Sequence, residues 1–471
     1  MSGLGQSTDE FWGNLVAGKS SIATVTRFDI TDYPCKIASQ VGEFTPGDYF
    51  TNAKTAKSQD RFTHLAVAAA RMAVDDAGLD IGTIDKTRFG CYVGSAFGGM
   101  ATYEEQTLKL AKMGPKKVSP FTIPALLGNT ASGVIAIELG AQGPNFGVTS
   151  ACAVGSHAIG EALNTIRRGD ADIMLAGGSE AAITPLSFAG FSSMKAMCTT
   201  FNDNPTEGSR PFDADRCGFV MGEGAGVLLL ETLEHAEKRG ATIYGELAGY
   251  GASCDAHHIT TPAPGGAGLA RAIEAALASG GIAKGDVSYV NAHGTSTPYN
   301  DKFETLALKA VFGEEGAKRL AVSSTKGGTG HTLGAAGGIE AVVAVKALQT
   351  GIIPPTINFK TPDPECDLDY TFNTAGKRDI KVAISENLGF GGHNAAVAFR
   401  KMSYKKKMSF SCNKLQDTAT YCNTLKHNAA QRGVCLPQDR TKERKKERKL
   451  LNRCLAQVEK SFRCNTLQSL C

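Results

Sequence analysis

Apolar residues across positions 58–77 recur at helical spacing, with Phe62, Leu65, Ala69 and Met72 on one face, and this predicts an amphipathic helix. A second kind of segment is short, continuously apolar and bounded by glycine. Examples are Gly90-Cys91-Tyr92-Val93-Gly94, Ile173-Met174-Leu175-Ala176-Gly177 and Gly226-Val227-Leu228-Leu229-Leu230. Continuous runs of this length suit strands covered on both faces. Their alternation with helical patterns predicts an α/β protein with largely buried sheets. At the start, Ser7-Thr8-Asp9-Glu10 reads as a capping box opening a helix over residues 11–17, closed by Gly18.

The pattern also repeats coarsely. Val148-Thr149-Ser150 runs through a turn into a small-residue helix over 153–167, followed by Gly169; Val322-Ser323-Ser324 runs through a glycine-rich turn into a second such helix over 334–349, followed by Gly351. Helices rich in Gly and Ala and apolar nearly all round belong between layers. The expected architecture is therefore two similar βα halves, divided near residues 240–250 and packed about central buried helices.

Composition narrows the class without changing this picture. A chain of 471 residues with 42% apolar and 20% charged residues is ordinary globular material for two or three packed units, which excludes collagen, coiled coil and disorder for the whole. The longest uncharged stretches, 118–137 and 139–160, carry Pro120, Pro124, Asn129, Gln142, Pro144 and Asn145, and so predict no membrane span. The net charge of +4 divides sharply, −7 over residues 1–401 against +11 over 402–471, and 53 of the 54 glycines precede residue 402. The tail adds six cysteines and the charge run 441–449 with no core-forming period. Its charge alone allows nucleic acid or anionic lipid binding, but the expectation is a disordered or artefactual extension that binds neither. The seven cysteines of the body (35, 91, 152, 198, 217, 254 and 366) contain no CxxC pair and predict a reducing compartment.

Four segments bear on chemistry, and one does not. Gly13, Gly18, Lys19 and Ser20 satisfy the spacing of a phosphate-binding loop, but such a loop leaves a strand and opens a helix, whereas here Lys19 and Ser20 close one. Cys152 stands where the strand Val148-Thr149-Ser150 ends and a helix begins, so the helix dipole and free backbone N–H groups favour its thiolate; the competing reading is a small buried hydrophobe. Two of nine histidines lie in polar, glycine-flanked loops at strand ends: His293 in Asn291-Ala292-His293-Gly294-Thr295-Ser296-Thr297 after a strand over 287–290, and His331 in Lys326-Gly327-Gly328-Thr329-Gly330-His331. Strand ends are where α/β folds place their sites. The fourth segment, Asn387-Leu388-Gly389-Phe390-Gly391-Gly392-His393-Asn394, follows a strand over 381–385, and its glycines let backbone N–H groups approach a ligand.

Thr149-Ser150-Ala151-Cys152, His293-Gly294-Thr295-Ser296-Thr297-Pro298, Lys326 with Gly330-His331, and Gly389-Phe390-Gly391-Gly392 together resemble the β-ketoacyl-[acyl carrier protein] synthases, closest to the elongating type I/II enzymes of dissociated fatty acid synthesis. The likeness runs in order over residues 5–401 and includes Arg210-Pro211-Phe212-Asp213. It implies a thiolase-like fold in five layers, α-β-α-β-α, with an N-terminal half over 1–245, a C-terminal half over 246–401 and the tail 402–471 outside both. It also implies an opening apolar strand, central to the fold, that this chain lacks.

The implied activity is decarboxylating Claisen condensation. Cys152 would take an acyl chain as a thioester, and malonyl carrier protein would lose CO2 and attack it as an enolate. His293 and His331 would donate to the malonyl thioester oxygen, and the backbone N–H groups of Cys152 and Phe390 would hold the tetrahedral oxyanion, at about 3 to 4 kcal/mol per donor. Lys326, paired with Glu340, is either an orienting group or a structural ion pair. By the same match, Thr295 and Thr297 would bind the pantetheine arm, Gly391 would contact substrate, Phe390 would gate the acyl pocket and Phe97 would limit chain length. Lys54, Lys116, Lys117 and Lys195 would meet the acidic carrier protein. No metal or cofactor is implied beyond the phosphopantetheine of the carrier, and a homodimer is, with residues 120–129 near the partner's pocket. The implied compartment is cytoplasm or the matrix of a plastid or mitochondrion, with any transit peptide lying before a truncated start.

Glu386, Asn387 and Leu388 stand where the family has Asn, Ser and Phe, and Tyr299-Asn300 replace smaller residues. A thiolase would carry a second cysteine in the last glycine loop, which has Phe390 instead; the initiating and plant-type synthases would carry Asn where His331 stands.

Overall fold

The computed structural model describes residues 1–402. The expectations for the tail, including the run 441–449, fall outside the described residues. Ser7 Oγ accepts the N–H of Glu10 at 3.2 Å, the capping box expected, and helix α1 (Thr8–Val16) follows it with no strand before it, which removes the phosphate-loop reading of Lys19. Helices α2 (Arg61–Ala77), α3 (Thr130–Leu139), α4 (Val154–Arg168), α5 (Pro185–Ser193), α6 (Ala267–Ser279), α7 (Pro298–Phe312) and α8 (Ala336–Thr350) alternate with the strands. The first sheet is β1 (Phe89–Gly94), β2 (Ile173–Glu180) and β3 (Gly224–Glu231) in that order. In the second sheet β4 (Glu246–Cys254), β5 (Val287–Asn291), β6 (Ala321–Ser323), β7 (Val382–Gly389) and β8 (His393–Arg400) lie in the order β4-β8-β7-β5-β6.

Five layers result. α2 and α3 cover the outer face of the first sheet, α4 and α8 lie between the sheets and touch both, and α6 covers the far face of the second with α7 against it. The strands nearest the central helices are buried along nearly their whole length, which is why their sequences run apolar without alternation. Small residues in α4 and α8 permit the close approach: a Cβ on Gly155 would come 2.6 Å from Gly338 N, and one on Gly226 of β3 would come 2.2 Å from Ile339 N.

The repeat seen in the sequence extends to backbone detail. Each central helix is preceded by a single 3-10 turn, Ala151–Ala153 and Leu333–Ala335, and each turn contains a non-glycine residue at positive φ, Ala151 at 49° and Leu333 at 51°. The expected strand at 148–150 is not formed; its place beside β1 is marked by one parallel bridge, Cys91 to Asn145. The structure also corrects the expectation of a central opening strand. β2 is parallel to β1 and antiparallel to β3, as β7 is to β5 and β8, and the next strand outward in the second sheet, β4, is at the sheet's edge. The matching place beside β3, bridged at Gly224 by Ser2, is therefore an edge as well. Among the described residues no helix is long and apolar enough to cross a membrane.

Candidate active site

Cys152 sits in the 3-10 turn that feeds α4, directly after the strained Ala151. A turn of this kind costs about 1 to 3 kcal/mol and persists where the surroundings over-determine it. Ser150 supplies one constraint: its Oγ lies 2.6 Å from Nδ1 of His157, one helical turn into α4. Burial pushes His157 down to about 4, with His393 adding to the shift, so its ring is a neutral acceptor for the Ser150 hydroxyl. A second constraint is Gly389, where a Cβ would lie 2.6 Å from Ser150 O and 3.3 Å from Cys152 N. The end of β7 is thus packed onto the amide of Cys152, and the amide of Phe390 follows immediately.

The thiol itself departs from expectation. Cys152 is buried, and burial pushes its thiol up to about 12; the Lys326 ammonium pulls the other way without prevailing. Position at a helix N-terminus was expected to favour thiolate, but desolvation outweighs it. The resting group is a protonated thiol.

His293 follows β5 and His331 follows the short helix Lys326–Thr329, and their rings meet edge to face with centroids 5.2 Å apart. Asn387 Nδ2 lies 3.2 Å from His293 Nδ1 and Lys326 Nζ 3.5 Å from it. With two donors on Nδ1, the neutral ring carries its proton on Nε2. Lys326 pairs with Glu340 Oε1, and Asn387 donates to Glu340 Oε2 at 2.6 Å, so lysine, glutamate, asparagine and imidazole form one buried network. Ser156 of α4 donates to Asn387 Oδ1 at 2.5 Å and ties the network to the helix that carries Cys152. Burial drives both imidazoles well below their ordinary value, and Lys326 adds to it in each case. Both rings are neutral.

Glu304 holds the loop of His293, accepting the N–H of His293 on one oxygen and that of Gly294 on the other at 2.8 Å. Glu386, one of the departures from the family pattern, lies buried against Glu304, and burial first, then Glu304, holds it protonated. Thr295 and Thr297 share a hydroxyl hydrogen bond of 2.8 Å beside them.

Aromatic rings cluster beside His331. Phe191 packs on Phe97, Phe219 and Phe390, with centroids 6.0, 5.2 and 6.4 Å away, and Phe219 meets the edge of His331 at 5.5 Å. Phe97 and Phe390 are therefore brought into one cluster. Gly391 and Gly392 adopt positive φ, and their loop is clasped from outside: Gly391 N–H donates to Ile259 O at 2.7 Å and Asp255 N–H to Gly392 O at 2.8 Å. Lys54, Lys116, Lys117 and Lys195 are exposed on three separate segments.

Three residues were missed by sequence reasoning. Glu180, at the end of β2, accepts from Ser95 Oγ at 2.9 Å, Ala96 N at 2.8 Å and Gly334 N at 3.3 Å, and so fixes the loop of Phe97 against the turn before α8; burial lifts it to about 7. Asp255 accepts from Asn394 and Ala263 and anchors the clasp. His157 had no glycine-flanked loop to mark it.

Comparison with known proteins agrees with this geometry. Family models for the β-ketoacyl synthase N-terminal and C-terminal domains match residues 1–236 and 244–360. The 3-oxoacyl-[acyl-carrier-protein] synthase 2 of Synechocystis sp. is 49% identical over 398 residues, 84% of this chain and 95% of the relative. That of Staphylococcus aureus is 48% identical over 401 residues, 85% and 96% of the two chains. Among solved structures, a β-ketoacyl synthase from Burkholderia phymatum superposes with a TM-score of 0.79 at 33% identity, covering 85% of this chain and 97% of its own. A type II polyketide synthase ketosynthase in complex with its acyl-carrier protein, bound to the hexaketide, gives 0.79 at 35% identity with the same coverage.

Proposed function

The chain belongs to the β-ketoacyl synthase family, as an acyltransferase catalysing decarboxylative condensation of malonyl-[acyl carrier protein] with an enzyme-bound acyl chain in fatty acid elongation, and we propose that Cys152, His293 and His331 perform that reaction. The observation that carries the assignment is the pair of neutral imidazoles meeting at 5.2 Å beside the Lys326 network that also polarises Cys152. The thiol rests protonated, so its proton leaves as sulfur attacks the acyl thioester and is returned to the pantetheine sulfur of the carrier as that thiol departs; with Nδ1 of His293 already taken, His331, whose buried Nδ1 has no partner, is the proposed acceptor. The amides of Cys152 and Phe390, brought together at Gly389, hold the oxyanion. Once the acyl group is on sulfur, malonyl thioester binds, with Thr295 and Thr297 on its pantetheine arm and Gly391 beside it. His293, whose proton sits on Nε2, donates to the thioester oxygen, and His331 is the second donor. As CO2 leaves, the enolate attacks the acyl carbon and the thiolate departs. No cofactor is needed beyond the carrier's phosphopantetheine.

Incubation with malonyl and acyl carrier proteins, following CO2 and 3-oxoacyl product, tests this directly; no product at any acyl length would overturn it. Phe97 limits the chain: Phe97→Ala is expected to move the preferred acyl substrate to longer chains by two or more carbons, and an unchanged length profile would refute its role. Lys54, Lys116, Lys117 and Lys195 are the proposed contacts for the carrier protein.

The pH dependence follows from the shifts. Both imidazoles stay neutral well below their ordinary value, so malonyl decarboxylation is expected to change less than about twofold between pH 8 and pH 6, although a free imidazole titrates near 6.5. A rate that falls with a midpoint near 6.5 would show that the rings are not held neutral. The unfolded chain takes up protons that the folded chain refuses, so stability falls as pH drops through about 6.5.

A homodimer is part of the proposal. Ile123 and Ile137 are 61% and 79% exposed, and Met113, Phe121, Leu127 and Phe146 from the same stretch are exposed with them, large apolar side chains that a second copy would cover. Ile123→Asp is expected to convert a sedimenting dimer to monomer; a wild-type monomer would remove the second copy. The seven cysteines among the described residues, all free thiols, support a reducing compartment, cytoplasm or organelle matrix.

A further inference from the structure

Two segments outside the catalytic network run side by side behind it. Met197 and Phe219 form a parallel bridge, with Cys198 N–H donating to Phe219 O at 2.9 Å and Phe219 N–H to Ala196 O at 3.0 Å. Gly218, at φ 135°, presses its backbone against the same place: a Cβ there would lie 2.8 Å from Cys198 N. This brings Cys217 beside Cys198 in one cluster, both thiols reaching Thr200, whose Oγ1 lies 3.9 Å from Cys198 Sγ. The pair is asymmetric. Cys198 is fully buried in a cluster with Phe191, Met197 and Phe219, whereas Cys217 is half-buried at its rim.

We propose that Cys198 and Cys217 are an oxidisable dithiol, a modification site in which a hydroperoxide closes a reversible disulfide between the two segments. Cys217 is the attacking sulfur because it is the one a peroxide can reach, Cys198 being fully buried; the neighbouring Cys198 thiol pulls the Cys217 thiol down, helped by the Thr200 hydroxyl and amide and by Arg210, while burial pushes the thiols of Cys152, Cys91 and Cys366 up. In the first step the Cys217 thiolate forms an S–O bond as the peroxide O–O bond breaks, and hydroxide leaves to become water. In the second, Cys198 sulfur displaces the hydroxyl from the sulfenic sulfur, and its own proton leaves with that hydroxyl as a second water. The two thiols together give up two electrons and two protons.

The bond would close on structure that supports the active site. Phe219, which the bridge carries, packs its ring on His331, and Gly218 N–H donates to Ser296 O at 3.0 Å, between Thr295 and Thr297. Shortening the approach of the two segments therefore moves an imidazole and the loop beside it, and small displacements of reacting groups carry large rate penalties.

The chemistry is tested first without the catalytic thiol. Cys152→Ala protein is treated with hydrogen peroxide in its folded state, alkylated and mapped. The expected result is a Cys198–Cys217 linked peptide, two hydrogens lighter than its reduced parts and released by dithiothreitol. Cys198→Ser in that background should leave Cys217 carrying added oxygen, and Cys217→Ser should leave Cys198 reduced. A link from Cys217 to the neighbouring buried Cys35, or full alkylation of Cys217 after peroxide, overturns the proposal without touching the reading of Cys152.

The consequence is tested in the intact enzyme with Cys152 held as its acyl thioester during oxidation. Condensation is expected to slow by about tenfold or more and to recover with dithiothreitol, while Cys198→Ser keeps its rate. Equal loss in Cys198→Ser would overturn the link between this pair and activity.

Discussion

Cys152→Ala is expected to lower condensation by about 10⁴-fold or more while leaving malonyl decarboxylation within about tenfold of wild type. On the proposed roles the two half-reactions use different groups. Forming the acyl intermediate needs the sulfur, and no neighbouring side chain replaces it: the hydroxyl of Ser150, next but one in the chain, is engaged with His157. Loss of CO2 needs only charge stabilisation at the malonyl thioester oxygen, which the two neutral imidazoles supply in the variant as in the parent. The measurement is parallel release of labelled CO2 and 3-oxoacyl product. Product at more than a hundredth of the wild-type rate would remove Cys152 as the nucleophile. Equal collapse of both readouts would show that the thiol is needed to shape the decarboxylation site.

What was legible in the sequence, and what was not, divides along physical lines. Strand and helix positions followed from apolar patterning, because the central helices and both sheets bury continuous apolar surface and leave a continuous trace. The repeat was legible for the same reason, down to the two turns at Ala151 and Leu333. Cys152 stood out because it opens a helix, and His293 and His331 because each lies in a glycine-flanked loop at an element boundary. Glu180 and Asp255 also stand at strand ends but were missed because the role of each depends on a partner far along the chain, Gly334 for Glu180 and Gly392, whose carbonyl accepts the Asp255 amide, for Asp255; His157 lies inside a helix with no loop to mark it. The ionisation of Cys152 was misjudged for a related reason. A helix N-terminus is visible in the sequence, whereas the burial that outweighs it is a property of the assembled layers. Asn387, noted only as a departure from the family pattern, proves to touch His293, Glu340 and Ser156 at once.

Lys326→Met is expected to destabilise the protein by about 3 to 5 kcal/mol and to slow condensation by about 10²-fold or more. The stability loss arises from what remains. Glu340 is 2% exposed, and its carboxylate would keep only the Asn387 amide as a partner, a buried charge without a counter-ion. The catalytic loss arises from His293, whose Nδ1 loses one of the two donors that fix its proton on Nε2. These effects are separable by Lys326→Met with Glu340→Leu. Removing both charges leaves an apolar pair of similar volume, so chemical denaturation should return most of the lost stability, as replacement of buried ion pairs commonly does. Decarboxylation by the double variant should stay low, because nothing restores the contact at Nδ1. A double variant that recovered stability and decarboxylation together would show that the pair only supports the fold, and that Asn387 alone is sufficient to set the proton on His293.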